Sequence, residues 1–162
     1  MFDHILVTTD GSPLSHLALP VAADLACKYR SKLTLLYVVP RFLPQVEGVA
    51  YPSHSSEEQD LLLAEGKRIL EAARRILDYP GTEVVWREQQ DLKTERVIAQ
   101  EVDRCGARLV VMSTHGRSGL AHLFMGSVAE SVMRQVSVPV LLIQAPGRNA
   151  WNAVNDPQEA MV

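Results

Sequence analysis

The chain has 162 residues, 47% hydrophobic and 22% charged, and its 16 Lys+Arg against 19 Asp+Glu leave a formal net charge of −3. At this length one core buries roughly 70% of the surface that the unfolded chain exposes, so an ordered domain needing neither disulfides nor metals is expected and disorder is excluded. An acidic balance without a Lys/Arg run argues against nucleic acid or an anionic membrane as the main partner; no apolar stretch nears the ~20 residues of a membrane span, and MFDHILVTTD lacks a signal peptide's layout, so a cytoplasmic protein without membrane insertion is expected.

Short β-branched runs alternate with longer segments of helical period, which predicts an α/β fold: a doubly wound parallel sheet with helices on both faces. The first strand is Ile5–Thr9. Next, Leu14, Leu17, Ala18, Val21, Ala22, Leu25 and Ala26 follow the i, i+3, i+4, i+7 stripe of one amphipathic helix. The second strand is Leu33–Val39, and Arg41–Ser55 after it, with two prolines, a glycine and no period, reads as a long mobile loop near the sheet's carboxyl edge. Ser56 with Gln59 forms a capping box for a helix running to about Asp78, which Pro80-Gly81 ends. The third strand is Glu83–Arg87. A helix over Thr94–Cys105 turns Val97, Ile98 and Val102 inward and stops at Gly106. The fourth strand is Leu109–Ser113; like the first two it is almost continuously apolar, as strands covered on both faces are. Ser127 with Glu130 reads as a capping box for a last helix, Val128–Gln135, whose apolar face is Val128, Ala129, Val132, Met133 and Val136. The final strand is Val138–Gln144. This gives one domain over residues 1–145 and a tail, 146–162, expected to be flexible unless a partner covers Trp151.

Cys27 and Cys105 form no CxxC pair and sit in apolar helical patterns, so reduced core thiols are expected. The histidines show no zinc-site spacing.

In open α/β sheets ligands bind beyond the carboxyl ends of the strands, where the strand order reverses. The chain places small polar residues there: Thr8-Thr9-Asp10-Gly11-Ser12 after the first strand and Ser113-Thr114-His115-Gly116-Arg117-Ser118-Gly119 after the fourth. Such loops present several N–H groups and hydroxyls to one anion, and Gly126-Ser127 opens a helix whose positive end suits a phosphate. Three familiar sites are excluded residue by residue. Gly126 is followed by Ser127 with no P-loop lysine, the first turn lacks GxGxxG, and Gly116-Arg117-Ser118-Gly119-Leu120 is not GxSxG.

Ser113, two residues, Gly116, nine residues, then Gly126-Ser127 resembles the signature of the ATP-binding branch of the universal stress protein family, which reads Gly, two, Gly, nine, Gly and Ser/Thr. The resemblance extends from ILVTTDGS through LLYVV to VPVLLI, about Phe2–Gln144. It implies a five-stranded sheet in the order 3-2-1-4-5, a bound adenine nucleotide (ATP, or ADP or AMP) with Mg²⁺ as a candidate companion, and a homodimer through the last strand, Val138–Gln144. Position by position it implies that Asp10 is the carboxylate on the ribose or adenine side, with Thr8 and Thr9 beside it. Val38 and Met112 would line the adenine, and Ser113, His115, Gly116 and Arg117 would wrap the ribose and phosphates. Gly126, Ser127 and Val128 would hold the phosphate tail. Ser113 replaces the first signature glycine and adds a Cβ where the backbone approaches the ligand. Ala129 stands where a hydroxyl is sometimes found, and Glu88-Gln89-Gln90-Asp91 replaces a glycine after the third strand, where two carboxylates would repel phosphate or hold Mg²⁺.

Structural roles compete at several of these positions. Ser127 serves as a helix cap, Asp10 builds an Asx-turn, and Val38 and Met112 are ordinary strand residues. No general base or P-loop lysine accompanies the phosphate loop, so a stress-response protein that binds nucleotide with little or no hydrolysis is expected. The alternatives are a slow ATP-hydrolysing or nucleotidyl-transferring enzyme with His115 as acid and base, and a nucleotide-free dimeric module in which Ser113 closes the pocket.

Overall fold

The computed structural model describes residues 1–39, 56–89, 93–114 and 126–144, without the side chains of residues 56–59. The expected loop 41–55, the tail, and the candidate ligands His115, Gly116 and Arg117 lie outside the described residues.

Strands β1 (His4–Thr9), β2 (Lys32–Val39), β3 (Glu83–Glu88), β4 (Leu109–Ser113) and β5 (Val140–Ile143) form one sheet in the order β3-β2-β1-β4-β5. Every neighbouring pair is parallel, with Ile5 opposite Leu33 on one side and Leu109 on the other. Alternation of side chains along the strands divides the core into two layers. Ile5, Val7, Leu33, Leu35, Tyr37 and Val39 face helices α2 (Ala18–Tyr29) and α3 (Ser56–Leu77), packing with Leu19, Ala22, Leu70, Ala73 and Leu77. Leu6, Leu36, Val85, Val110 and Met112 face α4 (Thr94–Cys105) and α5 (Ser127–Gln135), packing with Ile98, Val102, Ala129 and Val132. Ile5, Leu6 and Val7 are all fully buried, so the continuous apolar run of β1 reflects cover on both faces.

The expected first helix is two. Short α1 (Pro13–His16) is followed by α2 from Ala18, with Leu17 between them at φ −63° and ψ −25°. The cause is Pro20, which has no N–H for the carbonyl of His16 and is tolerated only in the first turn of a new helix. In the same way β5 begins at Val140 rather than Val138, because Pro139 cannot donate to the ladder, although its carbonyl still accepts from Val110 N–H at 3.0 Å. The α4 prediction holds at both ends, with Gly106 at φ 68° as its left-handed C-cap. The capping box at Ser127 does not form: Gly126 is the N-cap, no side chain caps the helix, and Glu130 bonds Arg134 at 2.7 Å instead. Met133, placed on the apolar face from its spacing, is exposed, as is Cys27, which is therefore not a core thiol. Cys105 is half-buried, and burial pushes its thiol above the usual cysteine range.

Edge strand β3 is tied to α4 by charge. Glu101 is 2% exposed and accepts from Arg87 Nε at 2.6 Å and Nη2 at 2.9 Å, and from Arg104 Nη1 at 3.2 Å.

Candidate functional site

The carboxyl end of β1 is the topological switch point: β2 lies on one side and β4 on the other, and the chain reaches them through crossovers on opposite faces. Beyond β1 the chain reverses at Asp10-Gly11-Ser12, where Gly11 takes φ +81°. Ser12 N–H donates to Asp10 Oδ1 at 2.9 Å, an Asx-turn, and Ser12 Oγ caps α1 by accepting from Ser15 N–H at 3.1 Å. Gly11 is required twice over, because its φ is left-handed and a Cβ there would sit 2.9 Å from Ile69 Cδ1 and Cγ1 on α3. Gly11→Ala is expected to cost about 2 kcal/mol, part backbone strain and part displacement of Ile69, read as a lowered urea midpoint at unchanged m-value.

On the other side of the switch point, β4 ends at Ser113, and Thr114 N–H donates to Ile143 O at 2.9 Å. Gly126 N–H donates to Thr114 O at 2.7 Å, which seats the start of α5 directly beyond the end of β4. The first intrahelical bond of α5 runs from Glu130 N–H to Gly126 O at 3.1 Å, so the N–H groups of Ser127, Val128 and Ala129 have no partner inside the helix.

Between these elements lies a cleft of about 350 Å³, lined by Thr8, Thr9, Asp10, Ser15, Leu36, Tyr37, Val38, Thr94, Ile98, Met112, Ser113, Thr114, Gly126, Ser127, Val128 and Ala129. Its size falls in the range of small-molecule sites. Every described member of the predicted set stands on its wall: Thr8, Thr9 and Asp10 from the end of β1, Val38 from β2, Met112 and Ser113 from β4, and Gly126, Ser127 and Val128 from the start of α5. Sequence reasoning missed Ser15, Leu36, Tyr37, Thr94, Ile98 and Thr114 as wall residues. Leu36 and Ile98 carry no signal in a sequence because they are also core residues; Thr94 opens α4, a helix start beyond a strand end that the switch-point rule could have included.

The wall has two characters. Leu36, Val38, Ile98, Met112 and Val128 form an apolar side. Asp10, Ser113, Ser127 and the free end of α5 form a polar one. Among the described lining residues Asp10 is the one carboxylate, and no lysine, arginine or histidine is present. Ser113 closes β4 in extended geometry, paired with Ile143, and is not among the described residues with positive φ, so a side chain is accommodated there without backbone strain. Glu88 ends β3, two strands from β1, and is not on the cleft wall. No group of three or more His, Cys, Asp or Glu able to hold a metal occurs among the described residues, and no described helix is long and apolar enough to cross a membrane.

Residues 1–144 match the model of the universal stress protein family. Universal stress protein YxiE of Bacillus subtilis is 28% identical over 149 residues, covering 89% of this chain and all of that protein. Among solved structures, a universal stress protein in complex with cAMP superposes with a TM-score of 0.65 at 24% identity, covering 88% of this chain and 97% of the other. The universal stress protein from Archaeoglobus fulgidus in complex with dAMP gives 0.60 at 22%, covering 86% and 96%. A family match over nearly the whole chain, on a sheet with the order β3-β2-β1-β4-β5, means that this chain belongs to the universal stress protein family.

Proposed function

We propose that the cleft at the β1/β4 switch point binds an adenine nucleotide, ATP or its products ADP and AMP, and that the chain acts in stress response or its regulation as a homodimer with little or no hydrolysis. The observation that carries this reading is the convergence of four separate segments, β1, β2, β4 and the start of α5, on one cleft with an apolar side for a base and an uncapped helix end for phosphate. The cAMP and dAMP complexes of relatives support the ligand class. In this reading the Asp10 carboxylate accepts from ribose hydroxyls, Val38, Met112, Ile98 and Leu36 sandwich the adenine, and the N–H groups of Ser127, Val128 and Ala129 receive phosphate oxygens. His115, Gly116 and Arg117 complete the phosphate side in this reading.

The low hydrolytic rate in this proposal rests on the sequence, where Ser127 follows Gly126 directly with no P-loop lysine. Mg²⁺ would arrive with the nucleotide, coordinated chiefly by its phosphates and water, and would neutralise part of their charge. Free thiols at Cys27 and Cys105 suit a reducing compartment such as the cytoplasm.

The test is calorimetric titration with ATP, AMP and GTP in the presence of Mg²⁺, beside assay of nucleotide released from the purified protein by denaturation. Adenine-nucleotide binding with weaker GTP binding is expected; no measurable adenine-nucleotide affinity and no released nucleotide rejects the reading in favour of a nucleotide-free module. Steady phosphate release that His115→Ala abolishes would favour the enzyme.

Homodimerisation is proposed through β5. Its residues are all apolar yet only half-buried, and β4 is its sole neighbour in the sheet. Because Pro139 and Ile143 turn their carbonyls toward β4, the alternate residues Val140 and Leu142 direct theirs to the open edge. Sedimentation at micromolar concentration is expected to give a dimer, and Leu142→Pro, which removes an outward N–H, a monomer; a monomeric parent chain refutes the interface.

A further inference from the structure

The hydroxyls of Thr9 and Ser15 lie beneath the Asp10 turn, 5% and 4% exposed, and their hydrogen bonds have a determinable direction. Ser15 Oγ donates its one proton to Ser12 O at 2.8 Å. The 3.0 Å bond between Thr9 Oγ1 and Ser15 Oγ must then be donated by Thr9. Thr9 Oγ1 in turn accepts from Gly11 N–H at 3.1 Å, and Ser15 Oγ takes a longer contact from Asp10 N–H at 3.4 Å. A one-way chain therefore runs from Gly11 N–H through Thr9 and Ser15 to Ser12 O. It closes on the residue whose own N–H holds Asp10 Oδ1 at 2.9 Å. Both residues line the cleft, but each hydroxyl has already committed its only proton within the turn.

We infer that Thr9 and Ser15 are positioning residues: they hold the Asp10 carboxylate in the orientation that reads a ligand's vicinal hydroxyl groups, and donate no hydrogen bond to the ligand themselves. This rests on the adenine-nucleotide reading and deepens it: Thr9 acts through Asp10. The chemistry is that of a preorganised acceptor. A carboxylate on a loop gains by having its rotamer and turn fixed before the sugar arrives, because the ordering cost is met in folding. Two buried hydroxyls with every proton assigned do this without adding charge to a cleft that receives an anion.

The test is a double-mutant cycle read by ATP titration. Thr9→Val and Ser15→Ala are each expected to weaken ATP about tenfold in the parent chain, the loss typical of one charge-linked hydrogen bond, and to cause no further loss once Asp10→Ala is present. Thr9→Ser keeps the hydroxyl and is expected to bind as the parent does. A direct contact would cost the same in both backgrounds, and that result overturns the inference while leaving the nucleotide reading intact. In the ligand-free protein, amide hydrogen exchange at Gly11 and Ser12 is expected to quicken in Thr9→Val and Ser15→Ala. Unchanged exchange overturns the device whether or not nucleotide binds, whereas a parent chain with no ATP affinity but quickened exchange in the variants overturns only the nucleotide reading.

Discussion

Ser127→Asp is expected to lower ATP affinity about a hundredfold or more while leaving the protein as stable as before, or slightly more so. Ser127 opens α5 and lines the cleft, with Gly126 rather than its own side chain at the cap position. An acidic group in the first turn interacts favourably with the helix dipole, by about 0.5 kcal/mol at an exposed site. In the proposed site the same carboxylate would face the incoming phosphates at short range, where two like charges repel by roughly 3–4 kcal/mol at the effective dielectric of a protein surface, and each 1.4 kcal/mol is a factor of ten in affinity. Titration calorimetry and a thermal melt on one sample separate the two signs. Ser127→Asn, of similar shape without charge, should stay within a few-fold of the parent. Undiminished affinity in the aspartate variant would place the phosphates away from α5.

Removing the Glu101 carboxylate should cost more stability than Gly11→Ala. Glu101→Ala is expected to cost about 3 kcal/mol, because the buried carboxylate balances Arg87 and Arg104 at once and its loss leaves the guanidinium of Arg87 partly desolvated and unpaired. The lower end of the range for broken buried pairs applies, since the Arg87 and Arg104 side chains are 33% and 58% exposed and water screens them. The paired replacement Glu101→Met with Arg87→Met tests the origin of the loss. It should recover stability well beyond Glu101→Met alone if the unpaired charge is the cause, whereas Glu101→Met alone should recover it if the truncated packing is. The network anchors α4, which carries Thr94 and Ile98 on the cleft wall, so the alanine variant should also loosen the apolar side of the site.

The sheet was legible because burial leaves a clear mark. A strand covered on both faces is mostly apolar, and ILVTT, LTLLYVV and LVVMS carry no charged residue. The order β3-β2-β1-β4-β5 was not written in that pattern; it came with the family signature and the structure reproduces it. Errors fell where one residue type outweighs periodicity. The stripe from Leu14 to Ala26 continues through Leu17, but Pro20 lacks the N–H needed to join the two helices. Spacing also put Met133 on the buried face and Cys27 in the core, because a period states which way a side chain points and not how far the neighbouring layer extends.

Within the site, the residues found from sequence are those whose chemistry is unusual for their place: an aspartate and glycine after a buried strand, and a glycine-serine at a helix start. Ser15 escaped notice because a serine three residues into a helix looks like surface, and its burial under the turn is a tertiary fact. The Ser127–Glu130 spacing suggested a capping box, yet Glu130 pairs with Arg134, and no side chain caps the start of α5, the end proposed above as the seat for phosphate.

That seat consists of peptide N–H groups rather than of lysine or arginine on the described wall. Forces from such dipoles act at contact distance, well inside the ~8 Å over which physiological salt screens charge. Affinity there should change little as ionic strength climbs. If nucleotide seats on those N–H groups as proposed, a titration at rising salt would show a shallower loss of affinity than a site relying on a basic field.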